Sequence, residues 1–183
     1  KENDLLVVSG DLGSAYLGLQ VLEREKQVFQ ANPKMQPDLH NNDYVLERQL
    51  KPEARIDVVK VLAKKNIVPT SMIDVSDGLS SELLHICKSS KVGCTIYEDK
   101  LPIDFAAMTS AEEFKISAAT CALNGGEDYE LLFSISQNDY EKLKDDPDFT
   151  IIGHITDSSS GTAFIAKDNS RHDLIAQGWN SFD

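Results

Sequence analysis

Short apolar runs alternate with stretches of helical spacing along this chain. Residues 5–9 (LLVVS) form a run of the length of a buried strand, closed by Gly10. Leu12, Ala15, Leu19 and Leu22 then recur at near-helical spacing ahead of the charged Glu23, Arg24, Glu25 and Lys26. That pattern predicts an amphipathic helix entered through a glycine-containing turn. Residues 31–42 (ANPKMQPDLHNN) hold two prolines with several Asn and Asp, so a loop is expected. Pro52 stands where proline suits a helix start, with Ile56, Val59, Leu62 and Ala63 as the buried stripe. A strand at 71–75, a turn at 76–78, a helix at about 79–91 and a strand at 93–98 follow. LPIDFAAM reads as loop and AEEFKISAATCALN as helical, ended by NGG; residues 129–135 (YELLFSI) form a strong strand. Ser136, with Asp139 three positions later, makes a capping-box-like helix start. FTIIGHIT and TAFIAKD close the chain as strands around the polar turn DSSSG. Strands and helices mix without strict βαβ regularity, so the expected fold class is α+β: a mixed sheet flanked by helices in an α/β sandwich.

Composition narrows the function classes. At 183 residues with 41% hydrophobic content, the chain fits one domain with a real core. Its net charge of −12, from 30 acids against 18 bases, disfavours nucleic acid, which requires clustered Lys and Arg. An acidic protein that handles phosphates needs metal cations to mediate the contact. No run of about 18 apolar residues occurs, so no membrane partner is expected. Cys87, Cys94 and Cys121 are odd in number, without C-x-x-C, which points to free thiols and a cytoplasmic location. The four histidines are isolated, so zinc is not expected. The chain opens at Lys1, without Met, and runs at once into a strand; a piece of a longer protein is expected.

Three motifs carry candidate chemistry. In SMIDVSDGLSSEL (71–83), Asp74 and Asp77 lie three positions apart where a strand gives way to a helix, with Glu82 behind them. Two readings stand. Ser76 or Asp77 caps the helix; or the two carboxylates hold a hard cation such as Mg²⁺, with Ser76 and the helix start meeting a phosphate. Asp74 lies inside the strand, where an acid costs burial energy unless it is paired or coordinated. In NGGEDYELLF (124–133), spacing alone favours a glycine-rich turn with solvated acids, while the crowding of Glu127, Asp128 and Glu130 against so apolar a strand weighs against it. Trp179, the only tryptophan, is either a packing anchor or a stacking platform for a planar ligand. SGDLGS (9–14) has neither P-loop nor dinucleotide-binding spacing and is read as a tight turn without chemistry.

Taken together, VVSGDLGSAYLGL, MIDVSDGLSSEL, ALNGGEDYELLF and the closing GW resemble the thiamine-monophosphate kinase family, a branch of the ATP-binding superfamily of aminoimidazole-ribonucleotide synthetase. The resemblance runs in order through essentially all 183 residues. It implies transfer of the γ-phosphoryl group of ATP, the co-substrate, to thiamine monophosphate, with Mg²⁺ as cofactor. Carried over by residue, Asp74 and Asp77 would ligate Mg²⁺, Ser76 would contact ATP, Glu127 would face the thiamine phosphate and Trp179 would stack on its rings. No catalytic residue is assigned. The family's other metal-binding acids, an ATP-contacting arginine and a dimer-forming barrel belong to an N-terminal domain. Residues 1–183 are therefore expected to be the C-terminal domain of a homodimeric enzyme, folded but inactive alone. Segment 31–43 takes no role from the resemblance. Alternatives are a sibling ATP-dependent synthetase of the superfamily, or a non-catalytic nucleotide or thiamine-phosphate binding module.

Overall fold

Strand β1 (Leu5–Ser9) runs through the middle of a seven-stranded sheet in a computed structural model that describes residues 1–176. The other strands are β2 (Ser71–Asp74), β3 (Gly93–Tyr97), β4 (Leu131–Ile135), β5 (Phe149–Thr156), β6 (Thr162–Ile165) and β7 (Arg171–Asp173), in the order β2-β4-β1-β5-β3-β6-β7. All neighbouring pairs are antiparallel except β3 with β6. The expected α+β class, a mixed sheet flanked by helices, is what forms.

Both faces of β1 are covered, which explains its unbroken apolar run. Leu6 and Val8 turn to one side, where Leu132 of β4 and Ile152 of β5 join Leu79, Leu83 and Ile86 of helix α4 (Leu79–Ser90). Val7 turns to the other, against Phe133 and Ile135 of β4 and Val58 and Leu62 of helix α3 (Ile56–Lys64). The register pairs Val7 with Phe133 and Val8 with Leu132, so the two-residue period of the strands sorts side chains between two cores.

A third apolar cluster joins helices α1 (Ser14–Ala31), α2 (Asp43–Leu50), α5 (Phe105–Phe114) and α6 (Ala118–Asn124). The α1 helix was expected, but its buried positions are Ser14, Ala15, Leu17, Gly18, Val21 and Glu25, with Leu19 and Leu22 only half-buried. The cause is α2, an unforeseen helix following the 31–42 loop, whose Val45 and Leu46 pack on α1. A side chain at Gly18 would run into the Val45 carbonyl, so α1 and α2 meet backbone to backbone there.

Helix α3 begins four residues after Pro52, and its stripe is rotated from expectation. Val58 and Leu62 are buried, whereas Ile56 and Val59 are 60% and 50% exposed. Apolar residues at 56, 58, 59, 61 and 62 permit either face; the sheet selects one. LPIDFAAM is helical in its second half, because Asp104 caps α5 by accepting a 2.7 Å hydrogen bond from the Ala106 amide. Lys115 (φ +57) separates α5 from α6. Strand β4 starts two residues later than expected. Ser136 opens a short turn leading into α7 (Tyr140–Leu143), and β7 was not anticipated. Cys87, Cys94 and Cys121 are free and buried.

Candidate functional site

The two acid-bearing motifs meet where β2 and β4 pair, with Asp74 opposite Leu131. Segment 125–130 folds back along 75–77. The Val75 amide donates to the Glu130 carbonyl (2.8 Å), the Tyr129 amide to that of Val75 (2.9 Å) and the Glu127 amide to that of Ser76 (2.7 Å). Gly126 has φ +69, and a Cβ there would stand 2.6 Å from the Ser76 carbonyl oxygen. Only glycine satisfies both constraints. Segments distant in sequence thus become one surface.

Asp74, Asp77 and Glu127 are exposed on that surface, and Ser76 is half-buried. The expected burial constraint on Asp74 does not hold: β2 lies at the sheet's edge, and its last side chain meets water. Neither Asp74 nor Asp77 has an ion-pair partner among the described residues. The simple capping reading fails too. Gly78 occupies the N-cap of α4 and no side chain caps it. Instead the buried Glu82 reaches back, accepting from the Asp77 amide (3.2 Å) and the Ser76 hydroxyl (3.4 Å). Burial raises the Glu82 pKa, and Asp77 and Asp74 push it the same way, against the Asp77 amide and His85. Glu82 therefore shapes the turn that displays Asp77.

Among the described residues no three His, Cys, Asp or Glu side chains converge into a protein-only metal cage. Two solvent-facing carboxylates with a nearby hydroxyl do suit Mg²⁺, which keeps several waters and commonly takes one or two carboxylates plus phosphate oxygens. The donor set fits that ion and does not fit zinc.

Segment 127–130 alternates between outside and inside. Glu127 (φ +64) and Tyr129 (φ +52) are left-handed and face outward, while Asp128 and Glu130 are 2% and 1% exposed. Solvated acids describe Glu127 only. Asp128 accepts from the amides of Gly13 (2.8 Å) and Ala15 (3.2 Å), so it caps α1 from across the fold, where Gly13 offers no side chain of its own. Burial pushes its carboxyl up to about 7, against those two hydrogen bonds and Arg48.

Glu130 accepts from the Ser9 hydroxyl (2.5 Å) and pairs with Arg48 (3.0 Å) and Arg55. Burial raises its pKa against the pull of those three groups. Arg48 also donates to the carbonyls of Asp11 and Asp128, both at 3.2 Å, and Tyr44 donates to the Asp11 carboxylate at 2.6 Å. SGDLGS, read as a turn without chemistry, is thus part of a buried polar cluster beneath the site. A cleft of about 370 Å³ lined by Tyr44, Arg48, Lys51 and Arg55 lies against it. Arg48 and Arg55 were missed in the sequence. Acids crowded against an apolar strand do signal a need for buried cations, but nothing local says which arginines answer it. Trp179 lies outside the described residues.

Comparison with known proteins places the chain in a family. A family model described as AIR synthase related protein, C-terminal domain, matches residues 1–166. A thiamine-monophosphate kinase of Buchnera aphidicola subsp. Schizaphis graminum is 37% identical over 171 residues, covering 90% of this chain and 49% of the relative. That of Bacillus subtilis (strain 168) is 32% identical, covering 100% and 54%. A solved structure described as AaThiL complexed with AMPPCP and TMP superposes with a TM-score of 0.79 at 28% identity, covering 100% of this chain and 52% of that one. The chain spans about half the length of the curated relatives it matches. With a match over 166 residues, it belongs to the family of AIR synthase related proteins, as their C-terminal domain.

Proposed function

We propose that this chain is the C-terminal half of a thiamine-monophosphate kinase, which moves the γ-phosphoryl group of ATP onto thiamine monophosphate to give thiamine diphosphate and ADP. What carries the reading is the union of 74–77 with 125–130 into one surface bearing three outward carboxylates, in a chain whose relatives carry that name. Such a transfer needs positioning and charge neutralisation more than a strong base. Mg²⁺ held by Asp74 and Asp77 would offset the phosphate charge. Ser76 contacts ATP, Glu127 faces thiamine monophosphate and Trp179 stacks on its rings. Glu82 holds the turn beneath Asp77; Asp128 and Glu130 anchor the segment that carries Glu127. The reading includes an N-terminal domain that completes the site, joins two copies into a homodimer and works with this half in the cytoplasm.

The test is thiamine diphosphate formation from thiamine monophosphate and Mg-ATP, run on the full-length protein, its Asp77→Asn variant and this chain alone. Wild type is expected to turn over, Asp77→Asn to lose about a hundredfold or more in kcat/KM, and the isolated chain to be silent. A full-length protein that hydrolyses ATP and makes no thiamine diphosphate would refute the reading in favour of a sibling synthetase.

A further inference from the structure

Tyr129 is an aromatic residue in a conformation that suits glycine or asparagine. Its φ of +52 lies in the left-handed region, where a bulky side chain is strained. The backbone has no freedom to relax. The residues on either side, Asp128 and Glu130, are buried and tied to Gly13, Ala15, Ser9 and Arg48, and the Tyr129 amide is bonded to the Val75 carbonyl. Those ties dictate the conformation at 129 and say nothing of the side chain. Packing does not account for it either, since Tyr129 belongs to none of the three apolar clusters.

What the side chain does is donate its hydroxyl to the Glu127 carboxylate at 3.1 Å. That hydrogen bond comes first in holding the phenol's pKa above the usual value, followed by the Glu127 charge and burial. The hydroxyl therefore stays a donor. Strain of this kind, maintained by surrounding structure, is expected where a side chain has a task.

We propose that Tyr129 is a positioning residue that fixes the Glu127 carboxylate toward the thiamine moiety and lays its own ring beside it, forming a corner that recognises the substrate's cationic thiazolium. The inference rests on the function proposed above. A carboxylate held at one position meets the ring's positive charge, and the phenol face adds cation–π attraction.

Two variants of the full-length protein test this by steady-state kinetics and thermal unfolding. Tyr129→Phe keeps the ring and loses the hydrogen bond, and KM for thiamine monophosphate is expected to rise about fivefold. Tyr129→Asn removes ring and hydroxyl while accepting φ +52 at ease. Its KM for thiamine monophosphate is expected to rise about twentyfold or more, with KM for ATP unchanged and a melting temperature equal to or above wild type. A wild-type KM for thiamine monophosphate in either variant overturns the proposal. So does a rise in both KM values together with a lower melting temperature, the mark of a structural role. A wild-type protein that forms no thiamine diphosphate is recognised before any variant is measured; it removes the functional reading and this proposal with it.

Discussion

Removing the charge of Glu130 tests the buried cluster that supports the site. Glu130→Gln keeps the side chain's shape and an acceptor for Ser9, and deprives Arg48 and Arg55 of their shared counter-charge at a position 1% exposed. Breaking a buried pair by neutralising one partner costs about 3–5 kcal/mol. The geometry places this case at the lower end. Arg55 retains Asp57 at 3.1 Å near solvent, and Arg48 retains Asp11 at 3.6 Å and two carbonyl acceptors. A loss of about 3 kcal/mol is expected, which for a domain of this size lowers Tm by about 6–12 °C. Urea titration followed by circular dichroism at pH 7 measures it, with an unchanged m-value showing that the denatured state is unaffected. A ΔΔG within 1 kcal/mol of zero would refute the reasoning, because the arginines would then find adequate solvation without Glu130.

Other consequences follow from the same geometry. Because the Asp128 carboxyl is pushed up to about 7 from an unfolded value of about 4, its contribution is fully present below pH 4 and is lost as pH rises through 7. The Tm of wild type relative to Asp128→Asn should therefore fall between pH 4.5 and 8; parallel curves would show that Asp128 is not perturbed. Gly126→Ala forces a Cβ to 2.6 Å from the Ser76 carbonyl at φ +69, and a loss of about 1–3 kcal/mol is expected by denaturant titration. Leu62→Ala should cost about 2–5 kcal/mol, whereas Val59→Ala, on the exposed face of the same helix, should stay within about 0.5 kcal/mol. Equal effects of those last two would mean that α3 presents the other face to the sheet.

Much of the architecture was legible in the sequence because its signals are local. The run LLVVS declares a strand covered on both faces, and Gly10, Gly78 and Gly126 mark turns with φ of +56, +107 and +69. Asp74 and Asp77 were legible as candidates by residue type and spacing, whereas spacing alone favoured a turn at Glu127, which the family resemblance singled out while supplying the roles of all three.

What the sequence could not express is which of several compatible partners each residue takes. In α3, apolar residues fit two stripes, and the sheet chose Val58 and Leu62 over Ile56 and Val59. Eight residues with two adjacent buried positions, Val45 and Leu46, show too little period to announce α2, yet that helix brings Arg48 to Glu130. Within GEDYE, spacing alone could not divide four polar residues into two outward and two buried. That division depends on the α1 N-terminus offering amides to Asp128, and on arginines reaching Glu130 from α2 and from the start of α3. Hydrophobic period and turn chemistry are properties of neighbouring residues and survive in one dimension. The burial of a charge depends on partners brought from distant parts of the chain, and only the folded structure determines which they are.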